Sequence, residues 1–460
     1  MDRAVETRFE QYAERVTGAL GHADRVTPCR WYLQGLILPG QRKSVEPMAA
    51  RVHPQNVRSA HQSMHHLVAD SDWSDTALLV RVAQEVLPKL HRDGSLASYW
   101  IIDDTGFRKW GKNSVGVARQ YCGQIGKVDN CQVAVTLSFA TALGSLPLQH
   151  RLYLPKAWAE DRPRCERVGV PAEVDFATKG EVAWGQIEAT LAAGIPRGIV
   201  LMDAGYGDEA ALRDRLTNRG LQYAVGIRPA TAVWHDDGPD PVSVKKNFAR
   251  PCRRVSREAG DRPMSVRDLA QALPHKRYRA VTWRDGTNGA LRSRFARVRV
   301  RAAHGDRQRA PEWLLIEWPR DAAEPTRYFL SSLSLDVTFK ALIDTVKMRW
   351  RIERDYRELK QEVGLGHYEG RNWRGFHHHA SLCIAAYGFL VLEGLRGNKK
   401  KAAGLEEPPL PEGFVPRGAR PDAAPCLVVD RHRPLSSGPG DPPPPGTVPL
   451  LCARTWAKAA

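Results

Sequence analysis

The sequence predicts an α/β protein with a helical N-terminal segment, and three observations carry that prediction. Apolar residues recur at helical spacing across residues 5–90. From Tyr99 onward, short apolar runs closed by turn residues alternate with helical stretches, the pattern of buried strands joined through helices. Two of those runs end in aspartates, "YWIIDD" at Asp103 and Asp104 and "GIVLMD" at Asp203. Carboxylates at the carboxyl ends of strands face the crevice where open α/β sheets bind ligands, although a lone Asp there also serves as a turn or cap residue.

The helical segment, residues 1–95, contains the amphipathic "RFEQYAERVTGAL" and "DWSDTALLVRVAQEVLPKL", the latter with Ser71 or Ser74 as N-cap. Between them a Pro-Gly turn delivers Gln41, Arg42 and Lys43 to a helix start. This fits either a helix-turn-helix element or an ordinary bundle with a basic loop. "YWIID", "CQVAVTLSFA" and "QHRLYLP" then read as three successive strands, followed by a helix over 179–193, the strand "GIVLMD", a further helix, and "YAVGI" at 223–227. Residues 228–328 exceed what a compact core needs and read as a β-rich insertion. Its Trp234, Trp283, Trp313 and Trp318 are available for packing or for stacking an unpaired base.

Residues 329–396 bring the chain's most informative stretch, "RWRIERDYRELK". At about 100° per residue, Arg349, Glu353, Tyr356 and Lys360 fall within about 60° of one another, beside an apolar stripe of Met348, Ile352, Leu359 and Val363. Such a helix docks on a core while presenting one carboxylate flanked by two cations. A carboxylate can hold a hard metal ion, and Arg and Lys can hold phosphate oxygens. The alternative is a solvated helix with ordinary i,i+4 pairs, such as Glu353 with Arg357.

These motifs together resemble the DDE transposases of bacterial insertion sequences, in the group marked by a Tyr-Arg-Glu-Lys signature. Arg349, Glu353 and Lys360 match its spacing, whereas its Tyr would fall at Val346, and Tyr356 does not simply inherit that role. Asp103 followed by Thr105 matches the first Asp, with Asp104 as competitor, and "DAGY" supplies Asp203, Gly205 and Tyr206 for the second. "SVGVARQYCGQIGKVDNCQVAV" and "GLGHYEGRNWRGFHHH" are also similar to one branch of the group, so the resemblance runs from about Arg8 to Leu392. The order three strands, helix, strand, helix, strand is that of an RNase H-like, retroviral-integrase-like catalytic core. The resemblance places the catalytic Glu on a later helix and implies that a β-rich insertion, associated with a hairpin DNA intermediate, interrupts the core.

Composition agrees. The 460 residues carry a formal charge of +17 and a pI near 9.7, as expected of a chain that neutralises phosphates. "FRKWGK", with Lys109 and Lys112, and "RNWRGFHHH" interleave aromatics and cations, as backbone clamps or as surface loops. Eight scattered cysteines with no CxxC pair argue against a zinc ribbon or a secreted disulfide framework. His377, His378 and His379 fit a helix start or a DNA-backbone contact better than a metal site. The polar N-terminus and the lack of an apolar run near eighteen residues lead to the expectation of no membrane span and a cytoplasmic protein on the nucleoid. Residues 397–460 hold thirteen of the chain's 32 prolines and no periodicity, so a disordered tail is expected, as a frame change in a decaying element would produce.

The resemblance thus implies two-metal phosphoryl transfer. Asp103, Asp203 and Glu353 would hold two magnesium or manganese ions. Arg349, Lys360, Tyr356, Tyr206, Lys109 and Lys112 would contact phosphate or DNA. The partners would be terminal repeats and target DNA, paired by a homodimer. A nuclease that cuts without joining, and an inactive DNA-binding remnant, remain as alternatives.

Overall fold

The computed structural model describes residues 3–92, 97–235, 242–245, 253–256, 262–286, 289–304 and 309–402. Five helices open the chain: α1 (Arg3–Thr17), α2 (Val26–Ile37), α3 (Val45–Val52), α4 (Val57–Ala69) and α5 (Asp75–His91). Ser74, not Ser71, caps α5, its hydroxyl accepting from the Ala77 N–H at 3.1 Å. Lys43 departs from the basic-helix-start reading. It is buried, and its ammonium donates to the carbonyls of Leu36, at 2.6 Å, and Leu38, closing the carboxyl end of α2. A Lys at such an end interacts favourably with the helix dipole and satisfies orphan carbonyls.

The middle of the chain supplies β1 (Tyr99–Arg108), β2 (Ala118–Cys122), β3 (Lys127–Ala140), β4 (Ser145–Leu152), α6 (Lys156–Ala159), α7 (Arg162–Arg167), α8 (Lys179–Ala192), β5 (Ile199–Met202), α9 (Ala204–Gly207), α10 (Ala210–Asn218) and β6 (Tyr223–Ile227). In the sheet β4, β3 and β1 run antiparallel, and β5 and β6 then continue parallel to β1. This order fits an RNase H-like core. The hairpin partner β2, paired with Lys127–Cys131 at the start of β3, was not anticipated.

Residues 228–328 hold β7 (Ala232–His235), β8 (Val242–Lys245), β9 (Arg253–Ser256), β10 (Met264–Ser265), α11 (Val266–Ala272), β11 (Arg279–Gly286), β12 (Gly289–Ala302) and β13 (Glu312–Trp318), with β14 at Arg327–Ser331. Only β8 and β9 form a separate ribbon. The others extend the core sheet beyond β6 in the order β14, β13, β12, β7, β10, so among the described residues twelve strands make one sheet. Trp234 is buried, and Trp318 packs edge-on against Tyr278 with its indole N–H on the Ala322 carbonyl. Trp283 meets Phe295 edge-on, and Trp313 donates to the Ser334 carbonyl, so packing is the role these rings have here.

The period-2 alternation of strands sorts side chains to the two faces of the sheet. Trp100, Ile102, Val200, Met202 and Val225 enter the large cluster shared with α8, the N-terminal helices and α14 (Trp373–Ala402). Tyr99, Ile101, Leu201 and Ala224 enter the opposite cluster, with Leu342, Ile343 and Val346 of α12 (Phe339–Lys347) and Ile352 and Tyr356 of α13 (Trp350–Glu358). By the same parity Asp103 belongs to the α13 face and Asp104 to the α8 face.

Helix α14 is the spine of the first cluster. The Tyr12 hydroxyl donates to the Ala385 carbonyl at 2.7 Å, and Arg8 grips Glu393. Its Trp373–Gly397 stretch is long and apolar enough to cross a membrane by length and composition, contrary to the sequence expectation. Of its most apolar window, 67% is buried within the protein. The helix also runs to Ala402, past the expected boundary at 396. Residues 403–460, which the tail prediction concerned, lie outside the described residues.

His377, His378 and His379 are all buried near the start of α14, which removes the DNA-backbone alternative. His378 stacks on Trp73 at 3.7 Å, His379 Nδ1 lies 2.8 Å from the Tyr32 hydroxyl, and the Leu152 N–H donates to His377 Nε2. Burial pushes His377 and His379 down to about 4, and His150 down to about 3. The unfolded chain therefore binds more protons than the folded one below about pH 6.5. Stability from these histidines is complete above about pH 6.5 and is lost as pH falls toward their folded values. A melting temperature that drops steeply between about pH 6.5 and 4 is expected; a flat profile there would contradict the neutral buried trio.

Candidate active site

Strand β1 does not stop at the aspartates, as the sequence reading had it, but continues to Arg108, held by β3 along its whole length. What ends near Asp103 is the parallel pairing with β5, whose last register pair is Ile102 with Met202. Asp103 and Asp203 therefore lead out of the paired segment side by side. The crevice expected at a strand end is found where the neighbouring strand ends.

Each acid is held by its surroundings. Asp203 caps the four-residue α9, its Oδ1 accepting from the Gly205 N–H at 2.8 Å, so it does perform the capping role weighed for it. Gly207 keeps that turn tight on β6, because a Cβ there would lie 2.2 Å from the Gly226 carbonyl oxygen. Asp103 accepts from the Asp104 N–H at 2.9 Å and from Arg349 Nη1 at 2.7 Å. Asp104, on the opposite face, pairs with Lys179 of α8 at 2.7 Å and accepts more weakly from the Tyr206 hydroxyl at 3.4 Å. Burial pushes Asp103 up to about 7; Arg349 opposes the shift, while Asp203 and Asp104 add to it.

Helix α13 supplies the rest. Arg349, at its N-cap, donates through Nη2 to Glu353 Oε1 at 2.6 Å while holding Asp103 through Nη1. One guanidinium fork thus ties the first Asp to the Glu. The Tyr356 hydroxyl donates to the Asp103 carbonyl at 2.9 Å. After Glu358 the helix widens into a π-turn, Leu359–Val363, which ends at Gly364 with φ +87°. Single π-turns occur often at functional sites. Lys360 lies in this turn, its ammonium on the Gly106 carbonyl at 2.7 Å and 4.6 Å from the Phe107 ring centroid; burial pushes it down to about 8.

The four residues predicted to share a face do share one, and it is turned onto β1. Several of the side chains expected to contact DNA have partners within the protein. Tyr356 and Tyr206 are buried, with their hydroxyls directed at Asp103 and Asp104. Arg349, Lys360 and Lys109, whose ammonium donates to the Tyr368 carbonyl at 2.9 Å, are engaged by protein acceptors. Lys112 is the exposed member of the set. Tyr356→Phe should therefore lower stability by about 1 kcal/mol, the usual net value of such a bond. DNA affinity should change less than about twofold; a larger loss of affinity would restore Tyr356 as a contact.

Two residues escaped the sequence reading. Lys179 read as the first residue of a helix, with nothing to link it to Asp104. Asp355 accepts from Ser145 Oγ at 2.5 Å and the Tyr387 hydroxyl at 3.1 Å, anchoring α13 to β4 and α14, and burial pushes it up to about 6. Its signal was legible, since at helical spacing an acid beside Ile352, Tyr356 and Leu359 borders the apolar stripe.

The donors of Asp103, Asp203 and Glu353 are all carboxylate oxygens, and Asp103 is strained electrostatically by its two acidic neighbours. That combination suits a hard divalent cation. Among the described residues, however, no three His, Cys, Asp or Glu side chains converge as metal ligands. Arg349 stands between Asp103 and Glu353.

A family model described as DDE superfamily endonuclease matches residues 15–290, more than half of the chain, a range that includes Asp103 and Asp203 and ends before Glu353. A protein of Microchaete diplosiphon, described as "Probable transposase for insertion sequence element IS701", is 30% identical over 195 residues. That alignment covers 42% of this chain and 47% of the relative, so the chain spans about half the length of the curated relative it matches.

Proposed function

Because this chain belongs to the DDE superfamily endonucleases, we propose that it is an insertion-sequence transposase that cuts the element's ends and joins them to target DNA. The observation that carries this reading is that Asp103 and Asp203 directly follow Ile102 and Met202, the last register pair of the adjacent strands β1 and β5, while Arg349 links Asp103 to Glu353. The similarity to the transposase of Microchaete diplosiphon supports it. DNA would be the partner, and two protomers would pair the two ends.

Asp103, Asp203 and Glu353 are the residues to hold magnesium or manganese. When bound, such ions activate an attacking oxygen and stabilise the leaving 3′-oxygen. The protein's own groups set the frame. The Asp203 turn fixes one carboxylate, the Tyr356 hydroxyl fixes the β1 backbone at Asp103, and Lys179 neutralises Asp104 so that it does not compete for the site. Water attacks the phosphorus at the element end and the 3′-oxygen leaves with a proton. The freed 3′-hydroxyl then attacks a target phosphodiester, forming one P–O bond as another breaks, so joining needs no external energy source.

The test is an assay for cleavage and strand transfer on labelled DNA from the two flanks of the gene, with and without magnesium. Metal-dependent 3′-end cleavage with joined product supports the transposase. Cleavage without joining makes it a nuclease, and end binding without cleavage a remnant.

A further inference from the structure

The face of α13 turned away from β1 carries Trp350, Arg354 and Arg357 at helical spacing, with Arg351 beside them. Strand β11 brings Arg284 against them. The Arg284 guanidinium carbon lies 4.2 Å from the Trp350 ring centroid and that of Arg351 lies 4.8 Å from it. One indole therefore holds two cations in place. Four arginines meet here, and the acids nearby are already engaged. Glu353 is held by Arg349 at 2.6 Å, Glu358 by Arg354 at 2.7 Å and by the Tyr387 hydroxyl, and Asp355 is buried toward Ser145 and Tyr387.

Neither Arg284 nor Arg357 has an ion pair among the described residues. Arg351 donates to the Ala142 carbonyl at 2.5 Å, but its Nε is buried without an acceptor. Burial depresses Arg284, and the charges of Arg354 and Arg357 depress it further, while the Glu353 carboxylate opposes the shift. Arg284 and Arg357, gathered with Arg351 and Arg354 beside the candidate site and without ion pairs of their own among the described residues, are complementary to a polyanion.

We propose that Arg284 and Arg357, with Arg351 and Arg354 behind them and Trp350 fixing the Arg284 plane, form a phosphate-binding cradle for the DNA backbone beside Glu353. The cradle rests on the reading of the chain as a DNA-cutting enzyme. It spans two parts of the molecule, the helix that carries the Glu and the strands beyond β6. DNA lying in it therefore fixes α13 relative to the extended sheet.

Fluorescence anisotropy tests this with full-length protein carrying Glu353→Gln, and two labelled duplexes, one from the gene's flank and one of random sequence, across a salt series. Arg284→Gln with Arg357→Gln should weaken both complexes about tenfold near ~0.15 M salt. It should also reduce the slope of log K against log salt by about two, since each lost phosphate contact removes about one. Lys276→Gln, an exposed cation elsewhere on the molecule, should leave the slope at its parent value. Should Arg284→Gln impair folding, the exposed Arg357→Gln alone should lower the slope by about one. Binding by the parent with an unchanged slope in the double variant overturns the cradle. No binding of either duplex by the parent overturns the DNA reading beneath it, and the cradle with it.

Discussion

Glu353→Gln is expected to abolish strand cleavage, by at least about three orders of magnitude or ~4 kcal/mol in the barrier, while end binding stays within about twofold and the melting temperature barely moves. The asymmetry follows from where the residue stands. Its side chain is 50% exposed, and among the described residues its ion pair is the i,i+4 one with Arg349. Exposed helix pairs of this kind contribute about 0.3–0.5 kcal/mol. Gln retains an oxygen for Arg349 to donate to, so the folded state loses little. What it loses is the charge, and an oxygen cluster that binds a hard cation depends on charge. Thermal melting, end binding and cleavage should be measured on the same preparation. Cleavage near the wild-type rate would remove Glu353 from the site. Loss of cleavage together with a large drop in melting temperature would make Glu353 structural instead.

The parts of this site that were legible in the sequence are those governed by periodicity. The 3.6-residue period groups Arg349, Glu353, Tyr356 and Lys360, and alternation along β1, a signal left unused when Asp104 was kept as a competitor, separates Asp103 from Asp104. Both patterns survive folding because apolar neighbours pin them: Ile101 and Ile102 enter opposite clusters, and Ile352 fixes the rotation of α13. Destination was less legible. Lys43, Lys360 and Lys109 read as solvent or DNA cations, yet each points its ammonium at a backbone carbonyl that only the tertiary fold brings near. A lysine's long apolar stem makes that burial affordable, and nothing local announces it.

The strand end was misplaced for a related reason. Two adjacent acids look like the close of an apolar run, because a buried strand seldom carries them. Here β1 passes through both, since Arg349 neutralises one on its face and Lys179 the other on the opposite face, 246 and 75 residues away in sequence. Neither partner is visible from the strand itself.

Arg349→Met is the second large effect expected, and it separates folding from chemistry. The guanidinium is the cation nearest Asp103, and the pair is 28% and 17% exposed. Breaking a fully buried pair by removing one partner costs about 3–5 kcal/mol. Partial exposure reduces the expectation to about 2–3 kcal/mol, with Asp103 left facing the charges of Asp203 and Asp104. Met keeps most of the packing volume, so the loss reads chiefly the charge. Arg349→Lys should recover only part of it, because a single ammonium does not reproduce the fork that binds Asp103 and Glu353 together. If these acids hold a divalent cation, the cation also supplies the missing positive charge. Added magnesium or manganese should then raise the melting temperature of Arg349→Met more than that of the wild type, since any ligand bound only by the folded state stabilises it. Equal shifts in the two proteins would mean that Arg349 and the cation do not act on the same carboxylates. An unchanged melting temperature for Arg349→Met without metal would mean that Asp103 is neutral in the folded protein, and that the fork positions Glu353 without balancing charge.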